Sequence, residues 1–409
     1  MKLGLSKVRT LVCYGQYSDS LSYYEDWRNA FCRSAEFGTT TFDVCRRSDP
    51  SRFRTLAKDA ELIVLLHSTN ADTLDFLRPY EGILAQRACK LIVFVGNELN
   101  YPPPLVGMRD KIRFLDTVRP DFIATQLPLQ AGTKLYEDVN GAIVVSIPHA
   151  LDPGIFFPAI PDSQREIDIG VRSSRYHPYL GDSERVSLVE YFLQDSHAPS
   201  LVRDISLDYN DRLDPAGWAG FLNKCRGTLA TEAGTYFLEK DDATVTRAAE
   251  HIRVSTTWLQ RLSANLAAAG NKRLVPQAVR SGIKTLFKKV SPRRKYFGDF
   301  FLSGNGKEIV ERFFKDCKEP LNGKCISSRH FEAIGTKTCQ IMFPGEFNGI
   351  LAPGRHYIAL SRDFSDIQTV LAKFADETLR RRMTDEALEY VLDCHTYAHR
   401  MKQVRDLLD

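Results

Sequence analysis

Short apolar runs recur through the first third of the chain at helix-length intervals: Val8–Gly15 (VRTLVCYG), Leu62–His67 (LIVLLH), Lys90–Val95 (KLIVFV), Asp121–Thr125 (DFIAT) and Ala142–Ile147 (AIVVSI). Alternation of short apolar strands with helix-length segments predicts a parallel sheet covered by helices. Each of the first three runs ends in small or polar residues: Tyr14-Gly15-Gln16, His67-Ser68-Thr69-Asn70 and Gly96-Asn97-Glu98. Ligands of open α/β sheets bind outside the strand carboxyl ends, so these tips are the first places to look for a site.

The pattern restarts after Pro148-His149-Ala150-Leu151-Asp152-Pro153, with IDIGVR at Ile167–Arg172, a helical stretch near Ser187–Gln194 and another strand candidate at Leu201–Leu207. Turns marked by Pro148, Pro153 and Pro158 make this the domain boundary. The expected division is residues 1–150, residues 151–395 and a closing helix over 396–409. Asp241–Asn322 reads as a mostly helical insertion in the second domain, with a glycine-rich turn at Gly304-Asn305-Gly306. Strands return at Thr338–Phe343 and His356–Leu360, and helices fill roughly Asp366–Leu408. A chain of 409 residues exceeds what one core usually supports. The fold class is therefore α/β with two Rossmann-like domains, and a cleft between facing strand ends suits a nucleotide-handling enzyme.

Composition narrows this little. Hydrophobic residues at 43% and charged residues at 26% are ordinary for a folded protein, and a net charge of +4 does not point to nucleic acid. The basic excess is local, with nine Lys or Arg and no acid between Lys272 and Lys295. Valines and other aliphatics spaced by three or four there favour a solvated basic face packed on its own domain, with an amphipathic basic helix lying on anionic lipid as the other reading. Nine cysteines include no C-x-x-C pair, which argues against a zinc site and fits a reducing compartment. The opening MKLGLSKVRTLVCYG lacks the pattern of a signal peptide, and no run approaches membrane-spanning length. The expected location is cytoplasmic, with peripheral contact on the inner face of the membrane through 272–295 as an added possibility.

From Ser327 the chain reads SSRHFEAIGTKTCQIMFPGEFNGILAPGRHYIAL, and near its end DCHTYAHR. These stretches resemble the CgeB-like and related group-1 (family 4-like) glycosyltransferases. Their R-x-F-E-A motif opens the helix that faces a nucleotide, and their H-T-Y-x-x-R signature is similar to His395, Thr396, Tyr397 and Arg400 here. The interdomain stretch Ile147–Pro158 (IPHALDPGIFFP) and the strand Arg165–Arg172 also look like segments of that family. The resemblance covers most of the second domain. It implies a GT-B fold, with C-terminal helices packing back toward the first domain.

It further implies transfer of a sugar from a nucleotide-diphosphate donor to a hydroxyl of a glycan or lipid-linked acceptor, with retention of configuration, in polysaccharide or glycoconjugate synthesis. By this resemblance Glu332 accepts hydrogen bonds from the donor ribose. The family often places a second glutamate eight residues upstream, but Lys324 stands there. Glu232, in LATEAGTY, is the candidate replacement, and a solvated surface turn is the equally open alternative.

Charge building on the departing diphosphate calls for cations. Arg172, Arg175 and Arg329 are the candidates, with helix amides near Gly335 adding to them. His67 ends a strand as a candidate base, and His149 lies where it can approach the donor sugar. The donor is a substrate, and neither a cofactor nor a metal is expected; nucleic acid is not an expected partner. A non-catalytic glycan- or partner-binding relative and a nucleotide-sugar epimerase are the other readings.

Overall fold

Successive residues of a strand point to opposite faces of its sheet, and the first domain sorts its apolar side chains accordingly. In the computed structural model, Leu11, Cys13, Ile63, Leu65, Leu91, Val93 and Ile123 enter one core layer, while Val12, Leu62, Val64, Ile92, Phe94, Phe122 and Ala124 enter the other. The structure describes residues 6–16, 22–46, 49–174, 177–194, 200–208, 211–255, 306–315, 317 and 320–409. Arg175, the basic stretch 272–295 and Gly304-Asn305 lie outside the described residues.

The first sheet comprises β1 (Val8–Tyr14), β2 (Phe37–Asp43), β3 (Leu62–Leu65), β4 (Lys90–Phe94), β5 (Phe122–Thr125) and β6 (Ile143–Ser146). All pairs are parallel, in the order β2-β1-β3-β4-β5-β6. Only β2, FGTTTFD, is absent from the sequence-based reading. It is an edge strand whose glycine and three threonines carry no apolar run.

The second sheet comprises β7 (Ile167–Arg172), β8 (Arg203–Ser206), β9 (Cys225–Ala230), β10 (Cys339–Met342) and β11 (Ile358–Ala359). It too is wholly parallel, in the order β11-β10-β9-β7-β8. Strand order reverses between β1 and β3 in one sheet and between β7 and β9 in the other. These switch points are where loops diverge and leave a crevice. At the opposite end of the second sheet, the buried Arg165 guanidinium ties β9 to the turn before β10 by donating to the carbonyls of Cys225 (2.8 Å) and Thr336 (2.7 Å).

The two domains are joined more than once. Leu151 pairs with Thr396, through Leu151 N–H to the His395 carbonyl and Tyr397 N–H to the Leu151 carbonyl. The helix Tyr397–Asp406 then lays Tyr397, Met401 and Val404 into the first domain's core beside Trp27 and Phe31. Buried Arg400 fastens this crossing by donating to the carbonyls of Pro148 and His149. The H-T-Y-x-x-R signature is thus the clasp between the interdomain stretch and the final helix, which packs back on the first domain as the resemblance implies.

A second set of crossings lies at antiparallel bridges Ala233–Cys325 and Leu238–Leu321. Leu238 and Cys325 are buried in the first domain's core although they flank a stretch inserted in the second. The described part of that stretch contains the helix Ala243–Ser255, the short helix Gly306–Ile309 and a π-turn over Val310–Phe314. Asp242 leads into it at φ 60°. Its carboxylate accepts from the backbone N–H groups of Met108 (3.0 Å) and Arg109 (2.9 Å), capping the first-domain helix Met108–Val118, whose own N-cap residue, Gly107, has no side chain to do so.

Candidate functional site in the interdomain cleft

Strand ends from both sheets meet around a cavity of about 420 Å³. The first domain contributes His67 from the end of β3, Gly96–Leu99 from β4 and Gln126 from β5; the second contributes Arg172–Ser174 from β7, Ala233-Gly234 beyond β9, and Ser327, Ser328, Arg329 and Glu332. Four arginines face it, Arg172, Arg185, Arg212 and Arg329, all from the second domain. The walls therefore differ in charge, cationic on one side and neutral or acidic on the other.

Glu332 reaches the cavity because its helix, Ser328–Gly335, begins at the rim. Ser327 caps that helix, and His330 Nδ1 accepts from the Ser327 N–H at 3.0 Å. Burial pushes the His330 imidazole down to about 4, so the ring stays neutral and keeps Nδ1 as an acceptor. Glu332 itself is buried, and its Oε2 accepts from Trp218 Nε1–H at 2.7 Å. Arg329 lies over the Trp218 ring at 5.3 Å and donates to the Arg172 carbonyl. Arg172 covers Phe221 at 4.1 Å and pairs with Asp204 at 2.8 Å.

Across the cleft, His67 and His149 stack at 5.2 Å. Trp27 Nε1–H donates to His149 Nδ1 at 3.1 Å. Burial and the neighbouring His149 hold His67 well below the ordinary imidazole value, and burial near Arg400 brings His149 to about 3. Both rings are neutral at physiological pH. Among the described residues neither ring nitrogen of His67 has a partner, although the residue is 1% exposed and lines the cavity. A buried polar group left in that state is satisfied when something polar enters the cavity. Lys111 stiffens the adjoining tip by donating to the carbonyls of Gly96 and Asn97 from beneath. Asn97 adopts φ 46°, a strained conformation for a residue with a side chain, of the kind found at ligand sites.

Of the residues singled out from sequence, His67, His149, Arg172, Arg329 and Glu332 come together around one cavity. Two expectations require correction. Glu232 does not line it: its carboxylate accepts from Phe347 N–H at 2.7 Å and packs against Gly345, serving the loop after β10. Gly335 ends its helix instead of opening it and fits against Leu151 and Phe156, where a larger residue would clash. The residues of this helix that line the cavity are Ser328, Arg329 and Glu332.

Lys324, at the position of the family's upstream glutamate, is buried between Asp182 and Glu184 and holds the start of the helix Glu184–Leu193. Sequence reasoning missed Trp218, Arg185 and Arg212. For Trp218 a signal existed, since Asp214 before Pro215 marks a helix start that puts a rare residue type one turn in.

Residues 308–406 match the model of a family described as glycosyl transferase-like. The matched segment includes Glu332, Arg329 and the C-terminal clasp. The match and the paired parallel-sheet domains accord with a glycosyltransferase of GT-B fold. Among solved structures, the chain is similar to HepE from Anabaena in complex with UDP and glucose, at 8% identity over 98% of this chain and 99% of that one, with a TM-score of 0.49. It is also similar to sucrose-phosphate synthase from Thermosynechococcus elongatus (10% identity, 98% and 99% coverage, TM-score 0.49). A third is a trehalose-phosphate synthase from Burkholderia vietnamiensis (12%, 99% and 97%, TM-score 0.43). No curated protein matches the chain.

Proposed function

We propose that the protein transfers a sugar from a nucleoside-diphosphate donor to an acceptor hydroxyl in building a polysaccharide or glycoconjugate. The observation that carries this is the second-domain wall of the cleft, where buried Glu332, four arginines and the amino end of the helix Ser328–Gly335 border one cavity. A carboxylate suits the two hydroxyls of a ribose, while guanidinium groups and helix amides suit a diphosphate. In this reading Glu332 takes the ribose, and Arg329 and Arg172 offset charge as the bond from C1 to the phosphate oxygen breaks. Gly96–Leu99, Gln126 and His67 meet the acceptor and the donor sugar.

Retention is part of the proposal. In it the acceptor attacks C1 on the face from which the diphosphate departs, and the acceptor's hydroxyl proton passes to the departing phosphate oxygen. Nine unpaired thiols, four of them buried, support a reducing, cytoplasmic site of action.

The test is a thermal-shift and turnover screen against UDP-, GDP-, dTDP- and CMP-sugars, with the anomeric form of the product read by NMR. UDP-glucose is a reasonable first donor. The expected result is stabilisation by one donor class, lost by about tenfold or more in affinity in Glu332→Ala, and a product of the donor's configuration. If no nucleotide sugar stabilises the protein, the proposal fails.

A further inference from the structure

Trp218 stands at the junction of the two halves of the donor site and belongs to neither in the reading above. It sits in the helix Pro215–Lys224, with Asp214 capping the helix by accepting from Gly217 N–H at 2.7 Å. Trp218 is half-buried and lines the cavity. Three contacts converge on its indole: Nε1–H donates to Glu332 Oε2, Arg329 lies over the ring, and Phe221 stacks against it at 5.7 Å and 21°. Phe221 in turn lies under Arg172, whose carbonyl receives the Arg329 guanidinium. Arginine, tryptophan, phenylalanine and arginine thus form one continuous stack, anchored at its middle to the Glu332 carboxylate.

A hydrogen bond to an ionised carboxylate is strong and directional, so an indole fixed by stacking fixes the carboxylate's orientation too. A guanidinium lying on an indole is confined by the ring's quadrupole in the same way. We propose that Trp218 is a positioning residue that holds Glu332 and Arg329 as a unit, setting the spacing between the ribose-binding carboxylate and the diphosphate-binding cation. The proposal rests on Glu332 meeting the ribose and Arg329 the diphosphate. Its consequence is selectivity for a ribonucleoside diphosphate as a whole, because each group is aimed through the same side chain.

Two substitutions separate the indole's roles. Trp218→Phe keeps an aromatic face for Arg329 and removes the N–H; Trp218→Leu removes both. The readout is two affinity ratios measured by calorimetry: UDP over 2′,3′-dideoxy-UDP, which reports the ribose hydroxyls, and UDP over uridine, which reports the diphosphate. GDP and its counterparts serve if GDP binds the more tightly. In the wild type both ratios are expected to exceed about ten. Trp218→Phe should bring the ribose ratio down toward one and leave the phosphate ratio within about twofold, while Trp218→Leu should lower both. Phe221→Leu, which thins the stack without touching the N–H, should preserve the ribose ratio. Circular dichroism checks that each variant folds.

If the wild type itself shows no ribose preference, the role given to Glu332 is wrong and the positioning role falls with it. If the wild type prefers ribose and Trp218→Phe prefers it equally, Glu332 keeps its role and the positioning role alone is overturned. An equal loss of both ratios in Trp218→Phe also overturns it, because the indole is then general packing.

Discussion

Asp26 lies on the first-domain helix Ser22–Arg33 and is 2% exposed, with Oδ1 lacking a hydrogen-bond partner among the described residues. Burial raises its carboxyl to about 8, and the neighbouring Glu332 and Asp152 push in the same direction against the pull of Arg33. The folded state therefore binds a proton that the unfolded chain releases near the ordinary aspartate value of about 4. The stability from this proton is complete below about pH 4, declines as pH rises, and is lost above about pH 8. Asp26→Asn should flatten the fall in stability across that window and make the protein more stable at pH 8 by on the order of 1–2 kcal/mol. Urea denaturation of both proteins at pH 5 and pH 8 measures it, and an unchanged slope would remove Asp26 as the cause. Nothing in the sequence announced this residue, because its burial is created by the final helix and the second domain, which come together only on folding.

At the scale of elements, the sequence was most readable where side-chain period decides the outcome. The runs LIVLL and KLIVF had only one way to bury both faces, and they became the central strands β3 and β4. The strand β2 was hidden because its two buried residues, Phe37 and Phe42, lie near its ends and enter opposite core layers, with only glycine and threonines between them. In the site, Glu332 was legible from its motif, whereas Trp218, Arg185 and Arg212 reach the cavity only through the folded placement of their elements. Caps shared between domains were equally invisible.

Asp242 ends the helix Met108–Val118 from more than a hundred residues away, and its carboxylate also accepts from Asn100 Nδ2–H and Tyr101 N–H. Asp242→Ala should cost about 1–2 kcal/mol in global stability. It should also speed amide exchange at Met108 and Arg109, and slow exchange at those two amides in the variant would show that another group caps the helix.

For the whole molecule, the clasp of Leu151 against Thr396 and the seating of Tyr397, Met401 and Val404 make the last helix part of the first domain's core. Removing residues 395–409 exposes the face formed by Trp27, Phe31 and Phe94 and deletes the Arg400 bonds to the interdomain stretch. Truncation after Cys394 should therefore lower the melting temperature by more than about 10 °C, or prevent folding of the first domain, while a truncated chain that melts like the full one would mean the helix is dispensable. Leu238 and Asp242 reach the same domain from the other side. The consequence appears on the ribosome. Although its sheet is complete by Ser146, the first domain lacks its helix cap until Asp242 has emerged and one core layer until Val404 has. At about 5–20 residues per second this leaves an apolar face open for on the order of 10–50 s of synthesis, so the nascent chain is a natural client for a holding chaperone.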